Sequence, residues 1–301
     1  SSHGYGLHRG TVKALSDAGA NVIVTVDCGI NALEPVRYAQ SLGVDVIVTD
    51  HHEPQVEEDL DDYEVAFQNS LFDFAVENHE ADSRLSHFNH IVPPACAVIN
   101  PKLGHYPFSE LAGVGVAFKL AHALVKAGRE AGRAAAEEID LREHLDLVAL
   151  GTLADAVPLR DENRILAKHG LAQLARTKKP GLQALARIAD VQQVDVRSVV
   201  FRMAPRINAA GRMEDASTAV ALMLTDDVAE ADRHARDLDR LNRARQKVER
   251  DTFRAAMESF EGTLGVELPK ARKLPGGLCA YVPNAPKVIV IASDEWNPGV
   301  I

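Results

Sequence analysis

Carboxylates and histidines follow three short apolar runs of this 301-residue chain: Asp27, the triplet Asp50-His51-His52, and Asp155. Taken one at a time, such residues are more often helix caps, turn residues or surface histidines than parts of a site. As a set, they combine carboxylate oxygens with imidazole nitrogens, which suit Mn²⁺ or Mg²⁺ as ligands. Two such ions, about 3.5–4 Å apart, can hold a phosphodiester, activate a water and stabilise the leaving oxygen. The set therefore predicts metal-dependent phosphodiester hydrolysis.

Two of these apolar runs are predicted β-strands. Residues 21–26 and 45–49 are rich in valine and isoleucine and end at turn residues, which is the pattern of buried parallel strands. Between them, residues 32–42 have helical spacing and stop at Gly43. In an open parallel sheet, ligands bind beyond the carboxyl ends of the strands, so the side chains there converge. We predict that Asp155 also lies at a strand end, beside the other two groups.

The order of predicted helices and strands along the chain indicates an α/β fold. We expect a doubly wound, mainly parallel sheet with a helical extension, and then a long helix to the start of a second α/β domain. A further short strand covers residues 96–99, and the chain is mostly helical from Leu111 onward. The long helix, residues 228–260, is charged on most faces, and such helices often bridge two domains. The helix has more basic than acidic residues. This excess could attract phosphates to a cleft between domains, or its charges could form solvent-exposed i,i+4 ion pairs, and the sequence favours neither interpretation.

The net charge of −10 is unevenly distributed. Residues 54–92 contain ten acidic residues and one basic residue, which leaves a net charge of −1 on the remainder of the chain. Because that remainder is nearly neutral, local basic patches on it can still meet phosphate. We interpret 54–92 as an acidic insertion that points away from the path of a nucleic acid.

The cysteines and the hydropathy pattern limit the class of protein. The three cysteines, Cys28, Cys96 and Cys279, are far apart and odd in number, so they indicate neither a disulfide framework nor a zinc site. No run approaches the roughly 20 apolar residues of a membrane-spanning helix, and residues 1–5 show no signal-peptide pattern. We therefore expect a cytoplasmic protein without membrane contact.

The motifs at the strand ends resemble those of the DHH phosphoesterase superfamily. Residues 24–29 (Val-Thr-Val-Asp-Cys-Gly) and 48–54 (Val-Thr-Asp-His-His-Glu-Pro) look like its second and third motifs. Further segments look specifically like the RecJ-type exonucleases of that superfamily, and they span nearly the whole chain in the expected order. These segments are Gly4–Leu7, Leu111–Phe118, Asp146–Asp155, Pro205–Arg212 and Trp296–Ile301.

This resemblance implies a role for each matching residue of the metal site. Asp27 would bridge two metal ions, His51 would ligate one of them, and Asp155 would ligate one or both. His52 would contact the scissile phosphate, and Asp50 would orient the two histidines. Two Mn²⁺ or Mg²⁺ ions are therefore the expected cofactors.

The same resemblance implies a nucleic-acid contact farther along the chain. Arg206, Asn208 and Arg212 would grip the phosphate backbone, since arginine offers planar, bidentate donors to phosphate. The alternative is a solvated loop whose arginines are structural.

The resemblance also predicts domain boundaries. Residues 1–225 would form the DHH phosphoesterase domain, and 226–262 would form the long connecting helix. Residues 263–301 would begin a DHHA1-like nucleic-acid-binding domain. We also expect an earlier aspartate motif of the family, which completes the metal site, to lie upstream of residue 1.

The implied function is a 5′-to-3′ exonuclease on single-stranded DNA, acting in recombination and repair. Its direction rests on the resemblance alone, and a single-strand-binding protein or a helicase is an expected partner. Two alternatives stay open. One is a DHH phosphoesterase acting on short RNA or cyclic dinucleotides, which digestion of a long strand would distinguish. The other is a non-catalytic RecJ-like replication scaffold, which would not need Mn²⁺.

Overall fold

The computed structural model describes residues 6–56, 90–264 and Trp296. The chain divides into two compact units: the first comprises the residues up to 178 together with 191–204, and the second comprises 179–190 and the residues from 205 onward. Most of the predicted acidic insertion and most of the predicted DHHA1-like segment, residues 263–301, lie outside the described residues. The predicted domain boundaries at 225 and 262 stay predictions.

A parallel sheet forms the centre of the first unit. Its strands β1 (Val22–Val26), β2 (Asp45–Thr49) and β5 (Ala97–Ile99) lie side by side in that order. The register pairs the last residues of β1 and β2 with each other, Val26 opposite Thr49. Both strands therefore end at the same edge of the sheet, and the residues that follow them emerge together.

Helices α1 (Arg9–Asp17) and α2 (Leu33–Ser41) belong to the core that covers this sheet. Val12 and Val36 on the helices are fully buried, as is Val48 on β2. Burying such a side chain contributes about 1.5–3 kcal/mol, so this apolar cluster anchors the elements that carry the strand-end motifs. The parallel strands and their helices confirm the predicted α/β class.

Strand β1 is buried on one face only, which differs from the prediction of a fully buried strand. Ile23 is 7 % exposed, whereas Val22, Val24 and Val26 are about half exposed, at 51 %, 48 % and 50 %. Those three valines alternate with the buried Ile23 and Thr25, so they lie on the opposite face of the strand, which stays about half exposed.

The ends of the acidic segment pair with each other. Strands β3 (Gln55–Val56) and β4 (His90–Ile91) form an antiparallel pair just after the His51-His52 dipeptide. This pairing closes the segment at its base, so the chain returns to β5 close to the point where it left the sheet.

The remainder of the first unit is helical. Helix α5 (Leu145–Ala154) is buried over most of its surface, including Leu150, Thr152 and Leu153. The capping box between Asp195 and Ser198 starts α8 (Val196–Ser198), which continues directly into a π-helical turn at Val199–Met203. The helices of this region are α3 (Gly113–Glu130), α4 (Ala134–Glu137), a 3₁₀ turn (Leu141–His144), α5 (Leu145–Ala154), α6 (Asp161–Leu174) and α8 (Val196–Ser198).

The second unit is a helical bundle. Its helices are α7 (Pro180–Ile188), α9 (Ala204–Met213, which begins at the boundary between the units), α10 (Ser217–Leu224) and α11 (Val228–Leu264). Helix α11 covers the run predicted from its charge pattern, and Ala235 and Leu238 on its buried side are nearly inaccessible. Among the described residues, no helix has the length and apolar character needed to cross a membrane.

Candidate metal centre

Asp27 stands at the carboxyl end of β1 in an unusual backbone conformation. Its φ of 62° lies in the left-handed region, which aspartate and asparagine tolerate better than most residues. Its N–H donates to the Thr49 carbonyl at 3.0 Å, which continues the ladder between β1 and β2 by one residue. The strand end therefore holds the Asp27 backbone in a turn that a β-branched residue would resist.

Asp50 follows β2 and is almost completely buried, at 1 % exposure. Its carboxylate accepts hydrogen bonds from the N–H groups of Ile30 (2.9 Å), His51 (2.8 Å) and His52 (3.2 Å). Burial alone would raise the pKa of this carboxyl, but those hydrogen bonds and one from the His52 ring outweigh it and lower the pKa below its ordinary value. Asp50 is thus a fixed, ionised acceptor that organises the loop carrying both histidines.

The His52 ring is oriented by the same carboxylate. Its Nδ1 lies 2.7 Å from Asp50 Oδ1. Since a carboxylate can only accept, Nδ1 carries the proton, and in the neutral ring Nε2 then holds the lone pair. The backbone carbonyl of His52 also accepts from Asn100 at 2.9 Å, so both ends of the residue are held.

Asp155 reaches the site from a helix, which corrects the prediction that it follows a strand. It is the C-cap residue of α5, whose apolar sequence is buried over most of its surface. A short apolar run has the same appearance in a buried strand and in a buried helix, so periodicity could not distinguish the two. Burial is the main cause that raises the pKa of Asp155; the nearby His51 opposes it, and the charge of Asp27 adds to it.

These side chains converge on His51. Its Nε2 lies 2.9 Å from Asp27 Oδ1 and 3.5 Å from Asp155 Oδ2. The orientation is not that of an ordinary hydrogen bond, and this buried nitrogen makes none with any described residue. The Asp27 carboxylate raises the pKa of His51, against the opposite effect of burial.

The donor set fits a divalent cation. One ligand atom each from Asp27, His51 and His52 lies within 4.8 Å of the others, and Asp155 adds a second carboxylate beside His51. Two carboxylates that share a site repel each other, and a cation placed between them would remove that repulsion. Oxygen and imidazole donors together match Mn²⁺ and Mg²⁺ better than a soft metal.

Gly113 is a site residue that sequence reasoning did not select. It is the first residue of α3, and its backbone lies against the Asp27 side chain. A Cβ atom added to Gly113 would lie 2.2 Å from Asp27 Oδ1 and 2.7 Å from Asp27 Cγ, so only glycine fits there. The amino-terminal end of a helix also favours a neighbouring negative charge. The available signal was the RecJ-like segment Leu111–Phe118, which contains Gly113, but nothing in the sequence linked this glycine to Asp27.

An open cavity gives access to one side of the centre. It has a volume of about 380 Å³ and is bordered by His52 and Asp50, by the turn from Cys28 to Ala32, and by Gly6 and Leu7. A phosphate group that enters it would meet the His52 ring, which Asp50 holds in place.

The predicted nucleic-acid contacts lie in the second unit, on α9. Arg206 is 17 % exposed at its side chain, and its Nε donates to Asp239 on α11 at 2.9 Å. Asn208 and Arg212 are exposed on the same helix. The segment is helical and not a loop, and one of its two arginines is held in a buried ion pair.

Comparison with known proteins agrees with the motifs. Residues 5–71 match a family described as "DHH family, N-terminal domain". This match covers about a fifth of the chain and contains Asp27 and the Asp50-His51-His52 triplet. It is 36% identical over 302 residues to the single-stranded-DNA-specific exonuclease RecJ of Bacillus subtilis and 38% identical over 307 residues to that of Escherichia coli. Both alignments cover 99% of this chain, but only 30% and 44% of those relatives. The chain thus spans less than half the length of these two relatives.

Solved structures give the same result at the level of the fold. A crystal structure of exonuclease RecJ bound to manganese matches with a TM-score of 0.66 and 33% identity, over 85% of this chain and 55% of that one. RecJ of Thermus thermophilus in complex with Mn²⁺ matches with a TM-score of 0.64 and 33% identity, over 83% of this chain and 32% of that one.

Proposed function

We propose that this chain carries the catalytic centre of a metal-dependent exonuclease that removes nucleotides from the 5′ end of single-stranded DNA. The observation that supports it most is the convergence of Asp27, His51 and Asp155, next to a His52 ring oriented by a buried carboxylate. Similarity along 99% of the chain to proteins named single-stranded-DNA-specific exonuclease supports the substrate class. The two-metal mechanism, the direction and a partner such as a single-strand-binding protein or a helicase belong to the proposal.

In this mechanism, Asp27, His51 and Asp155 would hold two Mn²⁺ or Mg²⁺ ions, with Asp27 as the shared ligand. When bound, the ions would supply Lewis-acid activation of the phosphodiester and of the attacking water. Asp27 Oδ1 lies 2.9 Å and Asp155 Oδ2 lies 3.5 Å from the same atom, His51 Nε2, so the three side chains meet at one place.

His52 acts on the substrate in the proposed mechanism. With Nδ1 held by Asp50, the opposite edge of the ring meets the scissile phosphate, where the protonated ring donates its Nε2–H to the phosphate oxygens and offsets the charge that develops on them. The hydrogen bonds that fix Asp50 keep this ring from rotating, so the contact requires little reorganisation as the charge develops. Asp50 is therefore a positioning residue, and it does not touch the substrate.

The proposal is tested by metal binding and digestion in the same variants. We expect Mn²⁺ to bind the unsubstituted protein and to bind about 100-fold more weakly or not at all after His51→Ala or Asp155→Ala. Calorimetry or the electron paramagnetic resonance of free Mn²⁺ measures this. His105→Ala is the matched control, because His105 is an exposed histidine outside the cluster.

Digestion is measured with the full-length gene product and a 3′-labelled single-stranded oligonucleotide. Stepwise shortening from the 5′ end, lost in both variants and kept in the control, supports the proposal. Cleavage of dinucleotides but not of the long strand would indicate a different DHH phosphoesterase. Absence of both Mn²⁺ binding and digestion in the unsubstituted protein would favour a non-catalytic scaffold.

A further inference from the structure

A second open cavity of the first unit lies outside the metal centre. Its volume is about 700 Å³, and it is formed by the turn that precedes α8, by α8 itself and by the π-helical turn that follows. The residues that border it include Gln192, Gln193, Asp195, Arg197, Phe201 and Arg202. It combines one aromatic ring with two guanidinium groups and two amides.

Phe201 is the outward-facing residue of this cavity, with 72% of its surface exposed. It belongs to the π-helical turn, whose two ends, Val199 and Met203, are completely buried. That turn packs against α5, the helix that ends at Asp155. Phe201 is therefore presented to solvent by a backbone that is anchored on both sides. Because most of the ring's apolar surface stays in water, this placement contributes little to the stability of the fold. Single π-helical turns are frequent at functional sites.

The charges around Phe201 favour an anionic ligand. Arg197 and Arg202 are both exposed at the cavity. The one carboxylate, that of Asp195, accepts the Ser198 N–H at 2.6 Å as the cap of α8. The same carboxylate also attracts Arg197 electrostatically. Two guanidinium groups and one carboxylate border the cavity, so its border carries a net positive charge. An aromatic ring beside exposed arginines is the combination that binds single-stranded nucleic acid, with a base on the ring and a phosphate at the guanidinium.

We propose that this cavity is a base-stacking subsite for the single-stranded strand. One unpaired base stacks on Phe201, Arg197 contacts a neighbouring phosphate, and the amides of Gln192 and Gln193 meet the edge of the base. Because every base has a π-face, the subsite tolerates all sequences. The inference rests on the proposed function for its ligand. Helix α5 contacts the π-helical turn and ends at Asp155, so one element connects the subsite to the metal centre.

The test compares Phe201→Ala with Phe201→Trp in binding, without catalysis. Fluorescence anisotropy of a labelled single-stranded oligonucleotide is measured in EDTA, so that no strand is cleaved. We expect Phe201→Ala to weaken binding about 5- to 100-fold and Phe201→Trp to retain it, because either aromatic ring can stack. An oligonucleotide with abasic positions should bind Phe201→Ala and the unsubstituted protein equally.

Leu224→Ala is the matched control, since Leu224 is an apolar residue with 75% exposure on α10, outside this cavity. Mn²⁺ affinity and hydrolysis of a small ester, thymidine 5′-monophosphate p-nitrophenyl ester, should be unchanged in Phe201→Ala. Equal binding of DNA by Phe201→Ala and the unsubstituted protein overturns the inference, and so does a loss that Phe201→Trp shares. If the Phe201→Ala loss is observed but the unsubstituted protein does not digest DNA, only the proposed exonuclease function fails.

Discussion

The strand-end cluster of the first unit and the Arg206–Asp239 pair of the second unit use charge in opposite ways. In the cluster, two carboxylates approach one imidazole, and His51 Nε2 is buried without a hydrogen bond to a described residue. In the pair, a carboxylate that is 8 % exposed at its side chain already receives Arg206 Nε at 2.9 Å and Arg243 Nη2 at 2.7 Å. The first arrangement gathers ligand atoms that a cation would bind, and the second contains its own cations, Arg206 and Arg243.

This difference in charge compensation distinguishes a ligand-binding site from an ion pair that only stabilises the fold. Like charges brought together cost free energy, and they persist where a ligand supplies the opposite charge. A satisfied buried pair needs no ligand, and removal of one partner leaves the other uncompensated. The motif resemblance assigned function to both regions, whereas the structure gives Arg206 a packing role within the second unit. Its expected phosphate contact stays a prediction.

Asp27→Asn gives the largest expected effect on the cluster side of this comparison. Asparagine tolerates the left-handed backbone at this position, so the turn should survive. We expect Mn²⁺ affinity to fall about 100-fold, because an ionised ligand is lost. The free energy of unfolding in EDTA should change by no more than about 1 kcal/mol, because Asp27 is partly exposed. Calorimetric Mn²⁺ titration measures the affinity, and urea unfolding measures the stability. If Asp27→Asn strongly lowered the free energy of unfolding in EDTA, Asp27 would have a structural role and would not differ from Arg206 in the way described.

Arg206→Ala should have the reverse signature. It removes one of the donors to the buried Asp239 carboxylate, and we expect the free energy of unfolding to fall by about 2–3 kcal/mol. This loss is smaller than that expected for a buried carboxylate left with no partner, because Arg243 still donates to Asp239. Arg243→Ala is the control on the same carboxylate. Its side chain is 77 % exposed, so it should cost less than about 1 kcal/mol. Mn²⁺ affinity should not change in either variant. Equal, small losses in denaturant unfolding would show that the Arg206 pair is not structural.

Gly113→Ala sharpens the comparison within the cluster. The added methyl group cannot coexist with the Asp27 carboxylate in its present position, so one of the two must shift. We expect Mn²⁺ to bind about 10-fold more weakly, the effect of a disturbed neighbour of a metal ligand. Helicity should not decrease, because alanine is the better helix former.

Gly128→Ala is the control for this substitution at the far end of α3, where the added Cβ would lie 2.8 Å from Ala136 Cβ. It should leave Mn²⁺ affinity unchanged. Calorimetry and circular dichroism together distinguish a displaced ligand from a damaged helix, and unchanged Mn²⁺ affinity in Gly113→Ala would remove the assigned role of Gly113.

Local pattern determined much of the fold and the identity of the candidate ligands. The valine-rich runs predicted β1 and β2, and the helical spacing predicted α2, because these elements depend on neighbours in the chain. Asp27, His51 and His52 stand next to those strands, so the parallel-sheet rule was enough to expect them at one edge. The helical nature of the run before Asp155 was missed, since a helix buried over most of its surface shows no alternation between apolar and polar residues.

Only the tertiary structure decided the contacts between distant segments. The approach of Gly113 to Asp27 depends on how α3 packs against the sheet, across more than eighty residues of chain. The burial of Asp239 against Arg206 and the exposure of Phe201 depend likewise on which face of each helix its neighbours cover. Sequence determines which groups are present and on which elements they lie. Packing decides which charges are compensated, because compensation is a matter of distance and of exclusion from water.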